Sequence, residues 1–116
     1  MKLSGAILFV KDLERMSAFY ADTLGLRMIA ATRTENWAEF ESGLGLHAIP
    51  PHIAASIEIT VPPQVREDTP IKLVFTVADV QAEHDRLRAL GVDVTLRPWG
   101  VCEGVDPEGN LFQLNK

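Results

Sequence analysis

Four side chains of this sequence are of the types that most often do chemistry. They are three histidines, His47, His52 and His84, and one cysteine, Cys102. A histidine can give or take a proton near neutral pH, whereas a cysteine becomes a nucleophile only beside an activating group. No such group is visible for Cys102, which we expect in the core. His52 falls in a proline-rich loop, His84 on the apolar stripe of a predicted helix, and His47 in a predicted strand.

Longer catalytic motifs are absent from the sequence. It contains no Cys-x-x-Cys pair, no glycine-rich phosphate loop, no Gly-x-Ser-x-Gly turn and no His-Glu-x-x-His helix. The net charge of -5 argues against nucleic acid and anionic membranes as partners. A single cysteine and the lack of a signal-peptide core predict a cytoplasmic protein. The 116 residues, 47% of them apolar, suit one domain.

An internal repeat indicates the elements that must position these side chains. The stretches GAILFVKDLERMSAFYADTLGL and KLVFTVADVQAEHDRLRALGV both run from an apolar segment through Val-x-Asp to a helical pattern ending in Leu-Gly. Asp12 and Asp79 are suited to cap the start of each helix. Gly25 and Gly91 stand where a helix commonly ends in the left-handed conformation. Two copies of one supersecondary unit are therefore predicted.

Strands are predicted by alternating apolar residues. They cover residues 3–10, 27–33, 37–41 and 44–49, then residues 71–77, 93–96, 99–105 and 110–115. Each repeat thus reads β-α-β-β-β, with unit one at about residues 1–50 and unit two at about residues 71–116. The proline-rich residues 51–70 are predicted to be a linker with a short strand at 57–61.

This organisation resembles the vicinal oxygen chelate superfamily, which includes glyoxalase I, extradiol dioxygenases, fosfomycin-resistance transferases and bleomycin-resistance proteins. The resemblance rests on FVKDLERMSAFYADTLGL, LVFTVADVQAEHDRLRALGV and GVDPEGNLFQL, and it covers nearly the whole chain. It implies one α+β domain, residues 1–116, of two tandem βαβββ units. These units would form a curved mixed sheet of half-barrels around a cavity, with the helices on the convex face. It also implies a homodimer, because open half-barrels have free edges that pair.

The resemblance further implies four concave-face positions at which metal-using members carry His or Glu ligands. Gly5, His47, Lys72 and Gln113 stand at these positions here. Only His47 is a usual transition-metal ligand, since Lys72 brings a positive charge and Gln113 a neutral oxygen. We therefore expect no metal and no other cofactor.

Seven side chains are predicted to bind a ligand, because strand side chains alternate between the two faces. They are Phe9, Trp37, His47, Lys72, Val74, Trp99 and Gln113. Lys72 is suited to an anionic group, and an indole facing the cavity offers a stacking surface for an aromatic one. The competing interpretation is structural: a strand-end lysine that reaches solvent and indoles that pack in the core or at its rim.

The leading functional hypothesis is a metal-independent small-molecule binding protein of the glyoxalase/bleomycin-resistance type. Its anionic or aromatic ligand would meet His47, Lys72 and Gln113 as polar groups. One alternative is a metal-independent isomerase or lyase, with His47 as general acid or base and Lys72 stabilising an enolate. Another is a metal enzyme with a displaced ligand set of His47, His52 and Glu103. The sequence leaves open whether any reaction is catalysed.

Overall fold

The computed structural model describes all of residues 1–116 and contains two compact units, each with one open sheet. Unit 1 is Met1–Glu58 and unit 2 is Ile59–Lys116, so the boundary lies within the predicted linker. A helix packs on one face of each sheet, and the predicted α+β class is confirmed. No helix is long and apolar enough to span a bilayer.

Unit 1 is built on a three-stranded sheet. Its elements are β1 (Ala6–Val10), α1 (Leu13–Ala18), β2 (Trp37–Glu39), β3 (Leu44–Ala48) and α2 (Pro51–Ala54). The strand order is β1-β3-β2, with β1 parallel and β2 antiparallel to β3. The carboxylate of Asp12 accepts a hydrogen bond from the backbone N–H of Arg15 at 3.0 Å, so the predicted cap of α1 is confirmed. Gly25 has a φ of 76° beyond the helical segment, as predicted.

Unit 2 is built on a four-stranded sheet. Its elements are β4 (Leu73–Thr76), α3 (Val80–Ala89), β5 (Val94–Leu96), β6 (Cys102–Val105) and β7 (Leu111–Asn115). The order is β4-β7-β6-β5, with β4 parallel to β7 and the other pairs antiparallel. Asp79 caps α3 through the backbone N–H of Ala82 at 3.0 Å. Between β6 and β7, the buried Asp106 accepts the backbone N–H groups of Glu108 and Asn110, which forms the predicted turn.

Each unit has its own apolar core on the helix side of the sheet. The fully buried apolar side chains are Val10, Met16, Tyr20, Ala38 and Leu46 in unit 1, and Leu87, Cys102 and Phe112 in unit 2. Alternation along the strands leaves the odd-numbered residues of β1 and β7 on the opposite face, which no helix covers. We call this the open face of each sheet.

The predicted strand at residues 27–33 is wrong. Only Met28 bridges Phe40, after which Ala30–Thr32 turns into a short 3₁₀ helix. Two consecutive alanines have little β propensity, and a single bridge does not fix the following residues in an extended form. Unit 1 therefore has one strand fewer than unit 2.

Three other boundaries also differ from the prediction. The first helix changes after Ala18 into a π-helical turn, Phe19–Thr23. Residues 57–61 form no strand, and the linker instead carries α2, which begins with Pro51 at a position that requires no N–H donor. The strand predicted from residue 99 begins at Cys102, because Pro98 cannot donate to a ladder and the preceding residues form a turn.

Candidate functional site

The open face of unit 1 carries an aromatic row of three side chains: Phe9, His47 and Trp37. The strand register places Phe9 beside His47 and His47 beside Trp37. The rings of Phe9 and His47 meet edge to face with centroids 5.4 Å apart, and those of Trp37 and His47 are tilted with centroids 6.2 Å apart. Three of the predicted ligand-binding residues thus lie together. Phe9 is 66% exposed, so the row is accessible from the open side.

His47 lacks the partner that a catalytic base usually has. Its Nδ1 is buried and forms no hydrogen bond. A buried N–H without an acceptor is more costly than an unpaired lone pair, so we assign the proton of the neutral ring to Nε2. In this tautomer His47 offers one N–H donor at Nε2, and no carboxylate or carbonyl orients the ring.

A small pocket of about 280 Å³ adjoins the aromatic row in unit 1. It is lined by residues 4–7, Trp37, Glu39, Gly43 and Gly45. The Trp37 indole lies directly over Gly45, where a Cβ would overlap the ring. At Gly5 a Cβ would overlap the carbonyl oxygen of Gly43, so this position has no room for a side chain.

The open face of unit 2 has polar side chains where unit 1 has rings. The register aligns Val74, Gln113, Glu103 and Thr95 across the four strands. Gln113 Oε1 accepts from Lys72 Nζ at 3.3 Å, and Gln113 Nε2 donates to Asn115 at 2.7 Å. Both ends of the Gln113 amide are therefore occupied within the protein.

Lys72, Glu103 and Arg97 form an ion-pair cluster on this face. Lys72 Nζ lies 2.8 Å from Glu103 Oε2, and Arg97 Nε lies 2.5 Å from Glu103 Oε1. The ammonium of Lys72 and then the guanidinium of Arg97 hold the pKa of Glu103 below its usual value, against the opposing effect of burial. Glu103 is therefore a charged carboxylate with both oxygens engaged, which suits it to hold cations and not to accept a proton.

A larger pocket of about 450 Å³ opens beside this cluster in unit 2. Its walls consist of residues 65–67, 69–72, Asp93, Thr95, Arg97, Glu103, Val105 and Leu111. The volume falls in the range of small-molecule sites, which are usually apolar pockets with a few polar groups. Of the residues predicted for this unit, only Lys72 lines the pocket. Gln113 does not line the pocket, but it is hydrogen-bonded to Lys72, which does. Val74 is 53% exposed and lies outside the pocket.

Trp99 does not join either group of side chains. It lies in the turn closed by the backbone hydrogen bond from Gly100 to Arg97, and it is 69% exposed. The sequence-based placement of Trp99 in a strand is therefore wrong, because Pro98 and Gly100 favour a turn. Trp99 does not line the unit 2 pocket.

The remaining chemistry-bearing residues are outside these faces. His84 is buried on α3, and its Nδ1 lies 2.9 Å from Asp85 Oδ1, a contact that lowers the pKa of Asp85. Cys102 is fully buried, and burial raises the pKa of its thiol, so it is a poor nucleophile. His52 lies on the short helix α2.

The side chains present do not fit a metal ion. No group of three His, Cys, Asp or Glu side chains is placed to hold one. At the positions that the resemblance marks, Gly5 has no room for a donor and the ammonium of Lys72 lies against Gln113 and Glu103. A divalent cation at these oxygens would be repelled by Lys72.

Sequence reasoning missed Arg97 altogether and considered Glu103 only as a metal ligand. Alternation along β5 and β6 was the available signal, since Thr95 and Arg97 share one face and Thr95 pairs with Glu103. A charged residue at a strand end is usually solvated, so the pattern by itself did not favour a site.

Comparisons with known proteins identify the family. The model of the Glyoxalase/Bleomycin resistance protein/Dioxygenase superfamily matches residues 2–114. This chain therefore belongs to that superfamily. A comparison with curated proteins gave no significant match.

Solved structures share the fold. A protein of unknown function from Agrobacterium tumefaciens is 26% identical, with a TM-score of 0.73 over 98% of this chain and 92% of that one. A glyoxalase/bleomycin resistance protein from a Streptomyces species is 25% identical, with a TM-score of 0.60 over 95% and 96%. TnmS3, an antibiotic-binding protein from the same species, is 24% identical, with a TM-score of 0.65 over 99% and 94%.

Proposed function

We propose that this protein binds a small organic molecule without making or breaking a bond, and that it does so without a metal ion. The observation that carries the proposal is the unit 2 pocket of about 450 Å³, in which Lys72, Glu103 and Arg97 are paired with one another. Such groups can orient a ligand, but none of them is poised to transfer a proton. TnmS3, an antibiotic-binding protein, shares the fold, so the scaffold is compatible with this role.

Metal independence is supported by the chemistry around Lys72. Its ammonium donates to Glu103 and Gln113, so the oxygens that a divalent cation would need already serve a fixed positive charge. A tightly bound transition metal requires several His, Cys, Asp or Glu donors, and no such group is present.

The aromatic row of unit 1 is a second proposed contact surface for ligands. Phe9 and Trp37 offer flat apolar area, and His47 offers its Nε2–H as a hydrogen-bond donor. The isomerase or lyase alternative needs His47 as a proton acceptor held in position. It lacks support here, because nothing hydrogen-bonded to His47 orients the ring.

We also propose a homodimer. Strands β1 and β4 are at the edges of their sheets, with unpaired backbone groups along one side. Ile7 and Phe9 on β1 and Val74 on β4 are more than half exposed. Exposed apolar edge strands are surfaces that proteins usually cover. Light scattering coupled to gel filtration measures the mass directly, and a concentration-independent monomer would contradict the proposal.

The first experiment is native mass spectrometry with elemental analysis of untagged protein purified without chelators. We expect no stoichiometric metal, and either a retained small molecule or a ligand found in a thermal-shift panel. A bound ligand should be recovered chemically unchanged after incubation. Stoichiometric zinc, nickel, manganese or iron, or conversion of the ligand, would contradict the proposal.

A matched pair of variants locates the site. Lys72→Met removes the pocket ammonium and should weaken ligand binding, whereas Lys2→Met removes an exposed charge of the same sign outside the pocket and should leave binding unchanged. Equal effects of the two changes would mean that the ligand does not occupy the unit 2 pocket.

A further inference from the structure

We infer that the unit 2 pocket selects ligands that carry a carboxylate on an apolar body, with Arg97 and Lys72 binding the carboxylate and Glu103 acting as their internal counter-ion. This inference rests on the proposed binding function and adds the ligand class and the residue that determines specificity. Arg97 is the central residue, because its guanidinium has the planar geometry that matches a carboxylate.

The first step of the argument is the charge of the ion-pair cluster. Two cations surround one carboxylate, so the cluster keeps one net positive charge. The exposed fractions of the side chains are 35% for Lys72, 42% for Arg97 and only 10% for Glu103. A ligand entering the pocket therefore meets the two cations, while the carboxylate lies behind them.

The second step is the count of donors that remain. Arg97 uses its Nε–H for Glu103, and a guanidinium has four further N–H groups on its two terminal nitrogens. Lys72 has three N–H groups and uses two, for Glu103 and Gln113. Both residues thus have donors left for an incoming anion, whereas Glu103 has each oxygen already engaged.

The third step concerns the other charges around the pocket. Arg66 donates through Nε to the backbone carbonyl of Glu108 at 3.1 Å, so its guanidinium is held at the wall. The acidic residues Glu67 and Asp93 also line the pocket, and like Lys72 and Arg97 they are exposed to water, where screening weakens charge effects. Unlike Glu103, neither forms an ion pair with these two cations. The three cations and three carboxylates of the wall balance in number, so the excess positive charge is local to the Lys72–Glu103–Arg97 cluster.

The fourth step is the apolar part of the wall. Val65, Ile71, Val105 and Leu111 supply it, and they give no partner to a second charged or strongly polar group. A ligand with one carboxylate and a ring or short aliphatic body matches both parts of the pocket.

The competing explanation is that the ion-pair cluster only ties β4, β5 and β6 together. The two explanations differ for Glu103→Gln. Removing the counter-ion leaves both cations without a neutralising charge, so carboxylate affinity should increase if the cluster binds ligands. If the cluster is purely structural, the change lowers stability and does not increase carboxylate affinity.

The test compares benzoate, benzamide and benzylamine, which have similar bodies and carry a negative, no and a positive charge. Binding is followed in the full-length protein by NMR titration of the Val and Leu methyl signals, with Val105 and Leu111 as reporters of the pocket. We expect benzoate to bind about tenfold more tightly than benzamide, the range that one charge-assisted contact gives. Benzylamine should bind most weakly.

Variants then assign the preference. Arg97→Met should reduce the preference for benzoate to about threefold or less, because the terminal guanidinium donors are lost. Arg86→Met is the matched control: Arg86 is also 42% exposed and pairs with a glutamate, but it lies on α3 outside the pocket. Glu103→Gln should strengthen benzoate binding several-fold without changing benzamide binding. Arg97→Lys keeps the positive charge but loses the planar guanidinium. It replaces Arg97→Met in this measurement if Arg97→Met fails to fold.

Each outcome decides between the two explanations. Equal binding of benzoate and benzamide at Val105 and Leu111, tighter binding of benzylamine, or an unchanged preference in Arg97→Met or Arg97→Lys overturns the inference and leaves the proposed binding function standing. If none of the three probes binds, the ligand found by native mass spectrometry or in the thermal-shift panel decides. A carboxylate supports the inference, and a ligand of any other class overturns it. Absence of every ligand overturns the proposed function itself.

Discussion

The open faces of units 1 and 2 occupy equivalent places on two sheets of related topology, but they carry different chemistry. On unit 1, Phe9, His47 and Trp37 form a row of rings with one buried nitrogen that has no partner. On unit 2, Glu103 and Gln113 stand side by side on paired strands, and both are hydrogen-bonded to Lys72. The repeated backbone thus carries a mainly apolar surface of rings in unit 1 and a surface of mutually hydrogen-bonded polar side chains in unit 2.

The difference shows which part of the repeat is structural and which part is available for function. The helix-facing positions are apolar in both units, because each sheet must bury one face under its helix. The open-face positions are released from that requirement. They hold rings in one unit and ion pairs in the other, while the aspartate N-cap of the helix and the parallel pairing of the first and last strand are the same in both.

The largest expected effect contrasts the helix-covered face of the unit 2 sheet with the open face of the unit 1 sheet. Phe112 is fully buried on β7, and Phe9 is 66% exposed on β1. Phe112→Ala should lower the free energy of unfolding by about 3–5 kcal/mol, the usual cost of a large buried cavity. At a protein concentration low enough to keep the chain monomeric, Phe9→Ala should change it by less than about 0.5 kcal/mol, as surface substitutions do. Urea unfolding measures both. A comparable loss for Phe9→Ala would show that Phe9 is covered in solution.

Two glycines beneath aromatic rings give the next contrast. A Cβ at Gly104 would overlap the buried Phe112 ring, and a Cβ at Gly45 would overlap the Trp37 indole. Gly104→Ala should cost about 1–3 kcal/mol, because the Phe112 ring has no space to move into. Gly45→Ala should cost less, since Trp37 is partly exposed and can rotate outward. Urea unfolding gives the costs, and tryptophan fluorescence should report the displaced indole. An equal cost at both glycines would mean that Trp37 is fixed as firmly as Phe112.

Acid should affect unit 2 through Glu103. The pKa of Glu103 is lowered in the folded protein by Lys72 and Arg97. Its contribution to stability is therefore fully present above the ordinary glutamate pKa of about 4.3, and it is lost as the pH falls through the lower folded value. Glu103→Gln should cost about 1–2 kcal/mol at pH 7 and progressively less as the pH falls below that value.

The matched control for this pH dependence is Glu83→Gln, which removes the helical ion pair of α3 with Arg86 outside the pocket. It should cost less than about 0.5 kcal/mol at pH 7. Urea unfolding at pH 7 and near pH 3 compares the two variants. A Glu103→Gln cost that stays constant over this range would contradict the assignment of Glu103 as the paired carboxylate.

The smallest effect concerns the polar atoms of the two faces. His47→Phe removes an unpartnered buried nitrogen, so stability should stay unchanged or increase by up to about 1 kcal/mol. Gln113→Leu removes an acceptor from Lys72 and a donor from Asn115, and it should cost about 0.5–1.5 kcal/mol. Urea unfolding measures both. A clear loss in His47→Phe would mean that Nδ1 has a partner, such as a bound water or a second chain.

The sequence by itself determined the local features of this protein. The repeat, the caps at Asp12 and Asp79, and the glycine that ends each helical segment follow from backbone geometry over a few residues. Alternation along β1 and β3 similarly determined that Phe9 and His47 point to the open face. These features need no knowledge of which strands are neighbours.

Only the tertiary structure decided what the open faces contain. Trp37 meets His47, and Glu103 meets Gln113, because of strand register, which residues distant in sequence establish together. Arg97 follows the end of β5, and its contact with Glu103 depends on the pairing of β5 with β6. Trp99, two residues further along, is turned into solvent by Pro98 and Gly100. A local pattern assigns a side chain to a face, but long-range pairing selects its neighbours there, and those neighbours determine the chemistry.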